Sequence, residues 1–101
     1  VEFPEKETAQ MARTKYIKIQ KEDNVLVALE PLPEGERLRT TEGEIIVITP
    51  IPIYHKVAAR DIARDQPVIK YGAPIGFASG DIQKGEHVHV HNVDASALMK
   101  G

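Results

Sequence analysis

A short repeated word constrains this chain more than any other feature of its sequence. Asp61-Ile62-Ala63-Arg64-Asp65-Gln66-Pro67-Val68 recurs twenty residues later as Asp81-Ile82-Gln83-Lys84-Gly85-Glu86-His87-Val88. Leu32-Pro33-Glu34-Gly35-Glu36-Arg37-Leu38 is a looser third copy. In each, an apolar residue leads into a tight turn and then into the start of a strand. Gly35 and Gly85 suit turn positions that need positive φ, and Asp65 tolerates that region better than most residues. Three such turns in 101 residues predict a mainly β fold of short, bent strands, with no long flat sheet.

The segments between the turns fill in this frame. Tyr16 to Gln20 alternates and reads as a first strand. Asp23 and Asn24 are good helix N-caps, so Val25 to Leu29 is read as a short helix, with a buried strand as the other option. Glu44 to Thr49 is rich in β-branched residues and reads as a strand ended by Pro50 and Pro52. Ile53 to Val57 alternates, with Ile53, His55 and Val57 on one face. Ala58 to Arg64 is expected to make one helical turn. Val68 to Tyr71, Ile75 to Ala78 and Glu86 to His91 read as further strands. Residues 1–15 differ in character and are set aside as a leader or extension, with Met11 a candidate start. The domain is expected over residues 16–93, with a tail over 94–101 that is loosely helical or disordered.

Composition narrows the function classes. The chain has only five aromatic residues, so its core must rest on Val, Ile, Leu and Ala. A core this small is modestly stable alone, and self-association or a partner would help it. Net charge is −2 with the signs interspersed, which is not the basic stripe of a nucleic-acid binder. Apolar runs are too short to span a bilayer as a helix, and no charge run marks a membrane surface. There is no cysteine, which excludes thiol catalysis and zinc–thiolate sites and suits a cytoplasmic protein. No glycine-rich phosphate loop precedes a helix, and Ser79 and Ser96 lack a nucleophile-elbow context.

Histidine is the residue type that could carry chemistry. On a strand, His87, His89 and His91 project from one face while Val88 and Val90 face the other. Neutral imidazole ligates zinc, iron and manganese, so His89 and His91 are candidate metal ligands, and the face could also grip an anion. An exposed polar strand face is the plainer alternative. Asn92 adds an amide able to fix a hydroxyl or carboxylate. His55 and Lys56 point to opposite faces of an unbent strand, where His55 reads as a partly buried structural histidine. Lys70 and Tyr71 read as a solvated lysine and a packing tyrosine, with Lys70 a weaker candidate for gripping a carboxylate.

Several words in order resemble a known family. They are Asp23-Asn24-Val25, Ala28-Leu29, the Leu32 to Gly35 turn, His55-Lys56-Val57-Ala58, Asp61-Ile62, Val68-Ile69-Lys70-Tyr71-Gly72, Pro74-Ile75-Gly76, Asp81-Ile82, Gly85-Glu86 and His89-Val90-His91-Asn92. The stretch from Tyr16 to Val93 resembles the N-terminal SAF-type domain of altronate and galactarate dehydratases. Tyr54 and Asp65 stand where that family usually has glycine, and His87 lies outside the shared words.

The resemblance implies a SAF-type β-clip fold of short bent strands with one or two short helices. It also implies elimination of water from a sugar acid with a divalent metal, commonly iron, mostly held by a larger region. In relatives such as the sulfolactate sulfo-lyases, which release sulfite, the two regions are separate polypeptides. A chain of this length is therefore expected to be a small subunit that completes the site of a large catalytic subunit. By carry-over, His89, His91 and Asn92 are the catalytic candidates, and His55, Lys56 and Lys70 the substrate-binding ones. A binding module for sugar acids or carbohydrates without catalysis, and a purely structural subunit, remain the alternatives, because SAF-like domains also serve other functions.

Overall fold

A computed structural model of the chain describes residues 15–18 and 20–96. The described residues form short strands in three small antiparallel sheets. The first holds β1 (Tyr16–Ile17), β2 (Val25–Ala28), β5 (Lys56–Ala58) and β8 (His87–Val88), in the order β1-β2-β5-β8. The second is the hairpin of β3 (Arg37–Thr40) and β4 (Gly43–Ile46). The third holds β6 (Pro67–Lys70), β7 (Ala73–Ala78) and β9 (Val93–Asp94), in the order β6-β7-β9.

The repeated word is the joint of the fold, and it occurs four times. Leu32, Ile51, Ile62 and Ile82 each lead into a turn whose third following residue has positive φ: Gly35 at 92°, Tyr54 at 68°, Asp65 at 72° and Gly85 at 91°. Each turn closes on itself, through Glu36 N to Pro33 O, His55 N to Pro52 O, Gln66 N to Ala63 O and Glu86 N to Gln83 O. The turns work in reciprocal pairs. Leu32 and Ile51 exchange two backbone hydrogen bonds of 2.9 and 2.8 Å, and Ile62 and Ile82 exchange two of 2.8 Å. Six residues beyond each of these four comes a buried side chain: Leu38, Val57, Val68 and Val88. The copy at Ile51 to Val57 is hidden in the sequence because Tyr54 occupies the position where glycine would announce the turn.

The β1-β2-β5-β8 sheet separates two apolar cores. One gathers Leu26, Ala28, Leu32, Leu38, Ile45, Val47, Ile51 and Val57. The other gathers Val25, Ala58, Ile62, Val68, Ala78, Ile82 and Val88. Neighbouring residues on a strand point to opposite faces, so Val25 and Leu26 serve different cores, as do Val57 and Ala58. Burying each Leu, Ile or Val here is worth about 1.5–3 kcal/mol.

Coverage on both faces corrects the helical expectations. Val25 to Leu29 is continuously apolar because β2 is buried on both sides, not because it is a helix. Ala58 to Arg64 is the end of β5 followed by a bend and the Ile62 bridge. No α-helix occurs among the described residues. Ile53 to His55 is turn and not alternating strand, and β5 starts only at Lys56. The strand expected over Glu86 to His91 stops at Val88. Asp94 belongs to β9, while the rest of the expected tail beyond Ser96 and the extension before Lys15 lie outside the described residues.

Asp23 and Asn24 do cap free N–H groups, but those of turns and strands. The buried Asp23 carboxylate accepts from Gln20 N at 3.1 Å, Tyr71 N at 3.0 Å and Gly72 N at 2.8 Å. It thereby fixes the β6–β7 turn, whose central residues Tyr71 and Gly72 both have positive φ (60° and 74°), as a two-residue hairpin of that type requires. The Asn24 amide donates to Pro67 O at 3.0 Å and accepts from Ile69 N at 2.8 Å, tying β6 to β2.

Gly35 and Gly85 hold the same turn position with nearly the same φ, but their surroundings differ. A Cβ at Gly35 would meet nothing within 4 Å, whereas one at Gly85 would lie 2.0 Å from the Ile46 carbonyl oxygen. Gly35→Ala is expected to cost about 1–2 kcal/mol, the left-handed penalty alone. Gly85→Ala is expected to cost about 3 kcal/mol or more, because backbone must also move. Urea unfolding of both variants checks this, and equal losses would show that the Gly85–Ile46 approach is not a rigid part of the fold.

Candidate functional site

The second and fourth turns bring the histidines together. His55 ends the second turn and His87 opens β8, which follows the fourth. Antiparallel pairing of β5 with β8 sets Val57 opposite His87 and Lys56 opposite Val88. His87 is anchored by its backbone N, which donates to Thr49 Oγ1 at 2.9 Å. The chain then folds back: Asn92 N donates to His89 O at 3.1 Å, and β9 begins at Val93.

Four imidazoles gather at this seam. The rings of His55 and His89 stack with centroids 4.1 Å apart and planes 17° off parallel. His87 stacks with His55 at 5.1 Å and with His89 at 5.6 Å. His55 Nδ1 and His87 Nε2 share a hydrogen bond of 2.9 Å. One potential ligand nitrogen from each of His55, His87 and His89 lies within 4.8 Å of the others. His89 Nδ1 is buried without a hydrogen-bond partner, the single such side-chain atom among the described residues. A buried imidazole nitrogen normally has a partner.

The electrostatics favour the neutral form of His87 and of His89. His87 is pushed down from the ordinary 6.5 to about 4, first by burial, then by repulsion from His91, His55, His89 and Lys56. His89 is also lowered, by burial and then by His55, Lys56 and His91. Lys56 lies below the ordinary lysine value because it is half-buried and because Lys70 repels it. The Lys70 ammonium sits 4.9 Å from the centre of the Tyr71 ring.

The expected site residues are thus placed as follows. His55, which reads as structural on an unbent strand, is brought into the cluster by the turn at Tyr54. His87, outside the family words, lies within it. Of His89 and His91, named as metal ligands, His89 joins the cluster. His91 stands outside it on the exposed turn, its ring 5.1 Å from that of His87. Asn92 is buried and its amide is committed to the backbone, accepting from His89 N at 2.9 Å and donating to His87 O at 2.9 Å. It positions His87 and His89 and does not present its amide outward. Lys56 acts on His87 and His89 through its charge, and Lys70 acts on Lys56. A separate cavity of about 280 Å³ lies between β1 and the β3–β4 turn, lined by Tyr16, Ile17, Lys18, Leu26, Thr40 and Glu42 among others. It contains no histidine.

The depressed His87 value carries a pH signature. The unfolded chain binds a proton at His87 more readily than the folded chain, so stability rises with pH between about 4 and 6.5. The contribution is complete above 6.5 and is lost as pH falls toward 4. Unfolding midpoints at stepped pH should fall across that window, and His87→Gln should flatten the fall. A His87 imidazole NMR titration centred near 6.5 would overturn the assignment.

The sequence model of the family described as "Altronate/galactarate dehydratase SAF domain" matches residues 14–96. An altronate dehydratase of Bacillus subtilis (strain 168) is 49% identical over 77 residues, covering 76% of this chain and 16% of that protein. An altronate dehydratase of Escherichia coli (strain K12) is 47% identical over the same length, with the same coverage. A (2R)-sulfolactate sulfo-lyase subunit alpha of Chromohalobacter salexigens is 60% identical over 43 residues, covering 43% of this chain and 46% of that one. The chain therefore spans about a sixth of the dehydratases it matches and about half of the sulfo-lyase subunit. The small bent antiparallel sheets agree with a SAF-type β-clip fold. The chain belongs to the SAF-domain family of altronate and galactarate dehydratases.

Proposed function

We propose that this chain is the small subunit of a metal-dependent lyase that eliminates water, or sulfite, beta to the carboxylate of a sugar acid or related hydroxy acid. In this reading it completes the site of a separate large subunit. Relatives named altronate dehydratase and sulfolactate sulfo-lyase subunit alpha support the reaction class, and the latter name favours separate chains. The observation that carries the reading is the meeting of His55, His87 and His89 beside Lys56 at the β5–β8 seam.

Taking a proton alpha to a carboxylate sends negative charge onto the carboxylate oxygens, and that charge must be held. Lys56 and Lys70 repel each other, and an anionic carboxylate bound near them relieves that repulsion. They form the substrate grip. His87 titrates too low to serve as an efficient base near pH 7, where a base is best matched to the working pH. Its role is to donate or accept a hydrogen bond, or to ligate. Removal of the α-proton falls to a group of the large subunit. Asn92 holds His87 and His89 in place. A divalent metal such as iron fits a face of neutral imidazoles with an unpartnered nitrogen, and it would supply Lewis-acid stabilisation of the developing charge.

Purification of the tagged chain from its native cells tests this, with elimination assayed on altronate, galactarate and sulfolactate. A large partner and metal-dependent elimination are expected together. In that complex His89→Ala should lower kcat about a hundredfold or more. Lys56→Met should mainly raise KM, by about tenfold, as loss of a ground-state grip does. A chain that emerges alone and inert at native expression levels would instead indicate an independent binding module.

A further inference from the structure

We propose that His55, His87 and His89 form a three-imidazole site that this chain offers to one divalent transition-metal ion of the zinc or ferrous type. The proposal deepens the lyase reading, on which its catalytic use rests, while its geometry stands by itself.

Three observations carry it. First, the ligand atoms are already close, within 4.8 Å of one another. A tetrahedral ion with bonds of about 2.0–2.1 Å sets its nitrogens roughly 3.3 Å apart; the 2.9 Å between His55 Nδ1 and His87 Nε2 would open by a few tenths of an ångström, and nitrogens as far as 4.8 Å apart would close by up to about 1.5 Å through ring rotation. Second, His89 Nδ1 is buried and unpartnered, an arrangement that a ligand would satisfy. Third, the three residues come from two segments clamped independently of the rings. The Tyr54–His55 turn is held by Tyr54 N donating to Ala28 O at 2.7 Å, and the 87–92 segment by Thr49 and Asn92.

The donor set selects the metal. Among the described residues no carboxylate joins the three imidazoles, and calcium and magnesium demand oxygen ligands. Imidazole nitrogens suit zinc, iron, cobalt and copper. Three protein ligands leave an open position, the pattern of catalytic and not of structural sites. The proton now shared between His55 Nδ1 and His87 Nε2 would move to a remote ring nitrogen when the ion binds, so the rings stay neutral.

Zinc alone is the probe, titrated into the full 101-residue chain by calorimetry with magnesium as control. One zinc per chain and no magnesium binding are expected. His55→Ala, His87→Ala and His89→Ala should each weaken zinc at least about tenfold, while His91→Ala should change it by no more than about twofold. His87→Ala alters β8 and can loosen it, so imidazole ¹⁵N shifts of the unaltered chain give a second reading. The rings of His55, His87 and His89 should shift together at one equivalent, and His91 should not. Absence of zinc binding, or shifts confined to His89 and His91, would overturn the three-imidazole site. If zinc fails to bind but His89→Ala still abolishes elimination by the assembled enzyme, the metal assignment falls and the lyase reading stands. If the histidine variants lose zinc while elimination is unchanged, the site stands and its catalytic use falls.

Discussion

The fold depends on one backbone exchange made four times. A residue at positive φ in a turn donates its N–H to the carbonyl of a facing residue, and that facing residue donates its own N–H back to the next residue of the turn. Gly35 and Glu36 do this with Val47, Tyr54 and His55 with Ala28, Asp65 and Gln66 with Ala78, and Gly85 and Glu86 with Ala58. Short strands cannot bury enough surface to hold themselves. The exchange gives each of these four bends a hydrogen-bonded partner, so the chain can reverse at them without stranding buried backbone groups. Both cores then receive residues at two fixed offsets: Leu32, Ile51, Ile62 and Ile82 at the start of each turn, and Leu38, Val57, Val68 and Val88 six residues on.

Buried polar side chains complete the scheme where the turns do not reach. Asp23 closes the β6–β7 hairpin tip, Asn24 stitches β6 to β2, and Asn92 folds the chain between β8 and β9. All three use short side chains to imitate backbone groups. Nothing in these contacts requires a ligand. The unpartnered His89 Nδ1 contrasts with them: in a molecule that satisfies its other buried side-chain polar atoms among the described residues, it is the exception.

The sequence makes the fold class legible because the turn word is local. Gly35, Asp65 and Gly85 mark three of the four copies, and β-branched residues mark β4 and β6. Two things are not local. Whether Val25 to Leu29 is helix or strand depends on what covers its second face, which is distant chain. The role of His55 depends on a turn that Tyr54 conceals, since tyrosine at positive φ is not a sequence signal. The two-residue spacing of His87, His89 and His91 does place their rings on one side, yet through a short strand and a turn and not through a continuous strand. The same spacing could not show that His55 closes the group, or that Asn92 faces inward.

The four copies also separate what the turn needs from what the seam adds. The residue following the positive-φ position is Glu36, His55, Gln66 and Glu86 in turn, so the turn accepts any polar side chain there. The next residue is Arg37, Lys56, Pro67 and His87, again without a common chemistry. Histidine at positions 55 and 87 is therefore not demanded by the bend. Those two positions are the ones that the pairing of β5 with β8 brings side by side, within hydrogen-bond distance of each other. A repeated scaffold that is indifferent to these side chains carries imidazoles at 55 and 87, where two copies meet, and this is the physical ground for proposing the β5–β8 seam as the site.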